Sequence, residues 1–231
     1  MPNWCENNVV ISHDNPEKIQ KLVTAWNEGK FFGTIYPEPD YSVTPVKKTY
    51  PEIVAKYAKT EEEKALAYQP TIKPDNWWDW RVQHWGTKWE IETVYENKPY
   101  DLEANENTIS FYCSTAWSPP CGIYQKLVEQ GYDVSATYYE GGMGFCGYWE
   151  NDLEECYDIQ NDVQWVRNNI PKNIDDQYGI SDSIKEYKMD DLLTEIEAIE
   201  KELETAEEKD KARLLKELEE SKREYAELED L

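Results

Sequence analysis

Two short aromatic motifs hold the residue types best suited to chemistry. Trp85-Gly86-Thr87-Lys88-Trp89 sets two indoles around a lysine, with Arg81 four residues ahead of Trp85. Ser114-Thr115-Ala116-Trp117-Ser118-Pro119-Pro120 sets three hydroxyls and a third indole before a helix start. Indole faces stack on bases and other planar groups, and Lys88 or Arg81 can counter a phosphate. The free N–H groups of a helix start favour anions. The opposing reading is that these tryptophans fill a small core and that Ser118 caps the helix opened by Pro119. Glu140 follows Tyr138-Tyr139 at a strand end, where a carboxylate can accept the indole N–H of Trp85, Trp89 or Trp117. The candidate ligand-binding set is therefore Arg81, Trp85, Lys88, Trp89, Trp117, Ser118 and Glu140.

Other chemistry is weakly signalled. The only histidines, His13 and His84, have no Ser or Cys at a nucleophile spacing. His84 beside Glu140 or Cys113 would make a general base, but a satisfied histidine is far more common. Gly141-Gly142-Met143-Gly144 lies between two strand patterns, so it reads as a hairpin turn and not a phosphate loop. Cys5, Cys113, Cys121, Cys146 and Cys156 are odd in number and contain no Cys-x-x-Cys. They read as neutral thiols in a reducing compartment, without a disulfide framework or a zinc site. No catalytic residue, metal or cofactor is expected.

The elements that must position these motifs follow from periodicity. Trp4 to His13 ends in a β-branched run, and Asp14-Asn15-Pro16 starts a helix carrying Ile19, Leu22, Val23 and Trp26 up to Gly29. Residues 32–74, punctuated by six prolines, read as an insertion lying over the domain, with helical pieces at Glu52–Ala58 and Glu61–Ala67. Asp75 to Trp85 predicts a short aromatic helix closed by Gly86. Strands are expected at Thr87–Thr93, Thr108–Ser114, Tyr132–Glu140 and Gly144–Trp149, with a helix from Pro119-Pro120 to Gly131. The order β-α-(insertion)-β-β-α-β, with an extra hairpin strand, predicts an α+β fold: a ferredoxin-like split β-α-β sandwich. The expected domains are residues 1–168, a connector at 169–188 and an acidic helix at 189–231.

That terminal segment carries Leu192, Ile196, Ile199, Leu203, Leu214, Leu218 and Leu228 on one stripe. Such a stripe must bury against something. A long helix pairing as a coiled coil, and hence a homo-oligomer, is the expectation; a helical hairpin turning near Glu207–Lys211 is the alternative.

MPNWCENN at the N-terminus, WGTKW at Trp85–Trp89, STAWSPP at Ser114–Pro120 and YYEGGMGFCGYW at Tyr138–Trp149 resemble the YubB-type ferredoxin-like domain family. These proteins belong to phages, plasmids and other mobile elements. The likeness covers roughly Pro2 to Asp152 and implies a ferredoxin-like fold and a mobile-element origin, with no established activity to carry over. The insertion and the acidic tail depart from it.

Charge bears on partners. The chain has 48 Asp and Glu against 24 Lys and Arg, a formal net charge of −24. Residues 190–231 hold 17 acidic and 7 basic residues, so the body is acidic too. Such a field repels nucleic acid and anionic membranes and attracts basic protein surfaces. No apolar run approaches the ~20 residues needed to span a bilayer, and no secretory signal is evident. The expected role is that of a phage or mobile-element accessory protein in the host cytoplasm, binding a host protein with a basic surface. Inhibition of a defence or nucleic-acid-processing system through carboxylates that imitate phosphates is one form of it. A small-ligand or nucleotide-sequestering protein using the aromatic groove is the alternative.

Overall fold

The computed structural model describes residues 3–73, 76–91, 94–95, 98–99 and 101–231. In chain order the elements are β1 (Trp4–Ser12), α1 (Pro16–Asn27), α2 (Phe31–Ile35), α3 (Pro51–Tyr57), α4 (Glu61–Leu66) and α5 (Trp77–His84). They continue with β2 (Val94–Tyr95), β3 (Lys98–Pro99), β4 (Leu102–Ala104), β5 (Thr108–Ala116), α6 (Cys121–Glu129), β6 (Asp133–Glu140), β7 (Phe145–Glu150) and β8 (Leu153–Asp158). Four helices follow: α7 (Val163–Asn169), α8 (Lys172–Tyr178), α9 (Ile180–Thr205) and α10 (Glu208–Glu229). The chain divides into two compact units, Met1–Asp158 and Ile159–Leu231.

The first unit is α+β, built on an open six-stranded antiparallel sheet of order β4-β5-β1-β6-β7-β8. The alternation along β1 decides its orientation: Cys5, Asn7, Val9 and Ile11 are buried, while Trp4, Asn8 and Val10 are exposed. Register places Val9 opposite Phe111 of β5 and Ala136 of β6, so the same face is apolar on all three strands. Helices α1 and α6 supply Ile19, Leu22, Trp26, Ile123, Tyr124 and Leu127 to the core on that side. Asn15 caps α1 by accepting the Glu17 N–H at 2.9 Å, and Pro16 sits at the first helical position.

Several expectations need correction here. The stretch Thr87–Ile91 is not a strand; it forms bends, because Glu90 turns its carboxylate onto the start of α2. The remainder of that expected strand, Glu92 and Thr93, lies outside the described residues. The segment read as an overlying insertion begins with α2, whose Phe31, Phe32 and Ile35 are fully buried in the core. Strands β4 and β8 extend the sheet beyond the expected set.

The second unit is wholly helical. Its break at Asp158 comes ten residues before the expected domain boundary, and residues 169–188 are helical throughout most of their length where a connector was expected. The long-helix expectation gives way to the hairpin alternative: Ala206 and Glu207 adopt extended backbone and α10 folds back along α9. Leu192, Ile196, Ile199, Leu214 and Leu228 are buried and Leu203 and Leu218 partly so. The chain thus covers much of its own stripe. Lys222 Nζ reaches Glu200 at 2.6 Å and Arg213 reaches Glu202 at 3.7 Å across the pair. Folding back relieves some of the like-charge repulsion that a parallel pairing of acidic tails would create.

Truncation after Asp158 is expected to leave a fragment with one cooperative thermal transition by circular dichroism. A fragment lacking such a transition would place part of the core beyond Ile159.

Candidate functional site

An aromatic cleft forms where the loop after α5 meets the loop between β5 and α6. Two glycines permit the approach. A Cβ on Gly122 would lie 2.0 Å from the His84 carbonyl oxygen, so only glycine lets α6 start against the end of α5. Gly86 holds φ +86°, and a Cβ there would lie 2.8 Å from the Pro119 carbonyl oxygen. Thr87 Oγ1, buried, donates to the Ala116 carbonyl at 3.0 Å, and Ser118 Oγ donates to the Gly86 carbonyl. Trp117 takes φ 72°, in the left-handed region that bulky residues rarely enter. Its N–H bonds to the Asn3 carbonyl at 2.9 Å, and its indole is 46% exposed.

The structure sorts the sequence-derived candidates into three groups. Lys88, Trp117 and Ser118 line one cleft of about 270 Å³ with Thr87, Ala116, Tyr50, Trp78, Val82, Met143 and Phe145. Trp89 flanks it: the Lys88 ammonium lies 3.8 Å from the Trp89 ring centroid and 5.2 Å from that of Trp117. Trp4 packs on Trp89 from the other side, 5.9 Å between centroids. Trp85, by contrast, is core, 1% exposed, donating its indole N–H to the Tyr36 carbonyl at 2.9 Å. Arg81 is committed to an ion pair with Glu38 and stacks on Trp85 and Trp77.

Glu140 differs from its expected role. It is buried and accepts the N–H groups of Gly142 at 3.0 Å and Met143 at 2.6 Å, so it closes the β6–β7 hairpin turn and not the indole cluster. Ser118 likewise makes no helix cap; α6 has no side-chain cap, and Pro120 occupies the capping position. His84 stacks on Trp80 at 4.4 Å, with Nδ1 2.9 Å from the Trp80 carbonyl. Sequence reasoning missed Tyr50, Trp78, Met143 and Phe145 as cleft residues. The last two stand inside YYEGGMGFCGYW and were legible as neighbours of the turn; Tyr50 carried no signal.

Burial holds the Cys5, Cys113, Cys121 and Cys156 thiols above their ordinary range. Cys5, Cys113, Cys121, Cys146 and Cys156 form no disulfide, and burial pushes Cys113 up to about 12. Cys5 is raised further, by burial first and then by Cys113 and Glu140. Among the described residues no group of three or more His, Cys, Asp or Glu is placed to hold a metal ion. Among them too, no helix is long and apolar enough to cross a membrane.

A second surface is the sheet face turned away from α1 and α6. Register and alternation place Glu6, Asn8 and Val10 of β1 there with Tyr112 and Ser114 of β5, Thr137 and Tyr139 of β6, and Tyr148 of β7. Glu103, Asp133, Glu150, Glu155 and Tyr157 lie on the same face. Tyr157 donates to Glu155 at 2.6 Å, and that bond, with burial second, pushes its phenol up to about 12. No Lys, Arg or His is among the described residues of this face. Comparison with protein-family models, curated proteins and solved structures finds no match to this chain.

Trp85→Ala is expected to cost about 3–5 kcal/mol, the range for emptying a buried aromatic site. Trp117→Gly is expected to stay within about 1 kcal/mol of the parent, since an exposed indole is lost while left-handed strain is relieved; chemical denaturation compares the two. Glu90 supplies a pH test. Burial raises its carboxyl above the ordinary 4.5, against the lowering effect of hydrogen bonds from Gly33 and Phe32. The folded state then holds this proton more tightly than the unfolded state, so stability falls as pH rises from 4.5 through the raised value. Glu90→Gln lacks this titration, and the stability of parent minus variant is expected to decline across that window. A flat difference would show that Glu90 ionises as in water.

Proposed function

We propose that this chain is an accessory protein of a phage or other mobile element, acting in the host cytoplasm by binding a host protein with a basic surface. The observation that carries this reading is the open sheet face: Glu6, Glu103, Asp133, Glu150 and Glu155 stand among four tyrosines with no basic residue described beside them. Tyrosines give contact area at low entropic cost. Carboxylates without local counter-charges steer a basic partner and disfavour a nucleic acid.

The fold component of the proposal is a ferredoxin-like split β-α-β sandwich. Its support is strand order: β5 lies between β1 and β4, and β1 lies between β5 and β6, each pair antiparallel and each crossover carrying a helix. Kinship with the YubB-type domains rests on the four motifs, and β7 and β8 are additions at one edge.

Inhibition of a host defence or nucleic-acid-processing enzyme is the mode we propose, by occupying a basic surface. Imitation of a phosphate backbone is less favoured, because the five carboxylates are scattered over the face instead of standing in two parallel rows. Affinity capture from host lysate, comparing the parent with a Glu6→Gln/Glu150→Gln/Glu155→Gln variant, tests the reading. A basic protein retained by the parent at low salt, released as salt rises and lost by the variant, is the expected result. Equal capture by parent and variant would remove the sheet face from the binding surface.

A further inference from the structure

We propose that the cleft beside Lys88 binds a small planar aromatic molecule carrying one anionic group. The cleft lining includes none of the carboxylates or tyrosines named on the sheet face, and the two proposals are tested independently.

Lys88 is the first ground. In a chain with 48 carboxylates, no ion pair joins Lys88 to any of them among the described residues. Its ammonium is held instead against the faces of Trp89 and Trp117. An indole attracts a cation through its quadrupole but does not neutralise it. Among the described residues nothing neutralises this charge, and it can meet an anion at the cleft. Among the described residues the cleft lining contains no Asp or Glu to oppose an entering anion.

Trp117 is the second ground. Its left-handed backbone stores strain, which is retained where the surroundings over-determine it and which concentrates at ligand sites. That conformation directs a half-exposed indole to the lip of the cleft, pinned by the Asn3 carbonyl and by the Thr115 and Ser118 hydrogen bonds on either side. The stacking surface is thus set before anything binds, which limits the ordering cost. Met143, 74% exposed, gives a flexible apolar wall at the opposite lip.

Size and field define the ligand. About 270 Å³ suits one ring system with a single appended group and is small for a larger cofactor. The acidic surroundings penalise further anionic groups more than the first, which Lys88 meets directly. A nucleobase bearing one phosphate and an aromatic carboxylic acid share this chemistry.

Calorimetric titration of the full-length chain distinguishes them, with 5′-AMP, adenosine, ATP and 2-naphthoate as probes. At least one of 5′-AMP and 2-naphthoate is expected to bind with Kd near or below about 1 mM, and to lose about tenfold or more in Lys88→Gln while Lys88→Arg retains it. The tighter of the two identifies the phosphate or the carboxylate as the natural group. Adenosine is expected to bind more weakly than 5′-AMP and to be indifferent to Lys88→Gln, and ATP to bind more weakly than 5′-AMP. Trp117→Gly, with its thermal transition unchanged, is expected to lose the ligand, whereas Trp117→Phe keeps it. No saturable heat from either 5′-AMP or 2-naphthoate, or equal affinity in the parent and Lys88→Gln, would overturn the proposal.

Discussion

Asn7 has no contact with solvent, so each of its polar atoms must find a protein partner or cost about 1–3 kcal/mol. Its amide nitrogen is shared among the Cys5 carbonyl at 2.9 Å, the Cys113 carbonyl at 3.3 Å and Thr115 Oγ1 at 2.9 Å. Its oxygen accepts from the Tyr124 hydroxyl at 3.3 Å. One side chain therefore ties β1 to β5 and both to α6. The consequence runs outward: Thr115 Oγ1 donates in turn to the Ser118 carbonyl at 2.7 Å, and Ser118 Oγ closes on Gly86. The left-handed turn at Trp117 lies inside this relay. The shape of the cleft lip is thus set by a polar group buried beneath the sheet, and not by the aromatic residues that form the lip.

Acidity is distributed differently in the two units. On the helical hairpin, basic residues are spaced so that many carboxylates find partners one turn away or across the pair, as with Lys211 and Glu208 or Lys222 and Glu200. These exposed pairs add little energy individually; their effect is to soften repulsion along the stripe that holds the hairpin closed. On the outward sheet face the carboxylates have tyrosine hydroxyls and strand polar groups for neighbours, with no described cation among them. Charge that is partly compensated in one unit is left available in the other.

The strong periodic elements were legible in the sequence. The alternation of β5 and β6, and the Pro-initiated, Gly-terminated patterns of α1 and α6, placed those elements within a few residues, because each buries one clear face. The misses have identifiable physical causes. In β8, Leu-Glu-Glu-Cys-Tyr-Asp puts little apolar surface on either face, and pairing with β7 organises it instead. The five-residue α2 depends on a carboxylate 58 residues away, Glu90, to satisfy the N–H of Phe32. The apparent alternation of Trp89 and Ile91 arose from one residue stacking on a lysine and the other entering the core. Within the candidate site, Lys88 and Trp117 were visible as a motif, but no sequence pattern separates an exposed tryptophan from a buried one. Only the fold divided Trp117 from Trp85.

An open sheet has two free margins, and each is a template on which another strand can grow. Here the margins are closed off in different ways. At one side β4 offers only three residues, too short a ledge for a stable addition. At the other, the six residues of β8 are almost wholly exposed, but Glu154, Glu155 and Asp158 project from both of its faces. A second copy approaching in register would bring like charges together along the whole seam. Brevity at one margin and like charge at the other both disfavour strand addition by a second copy.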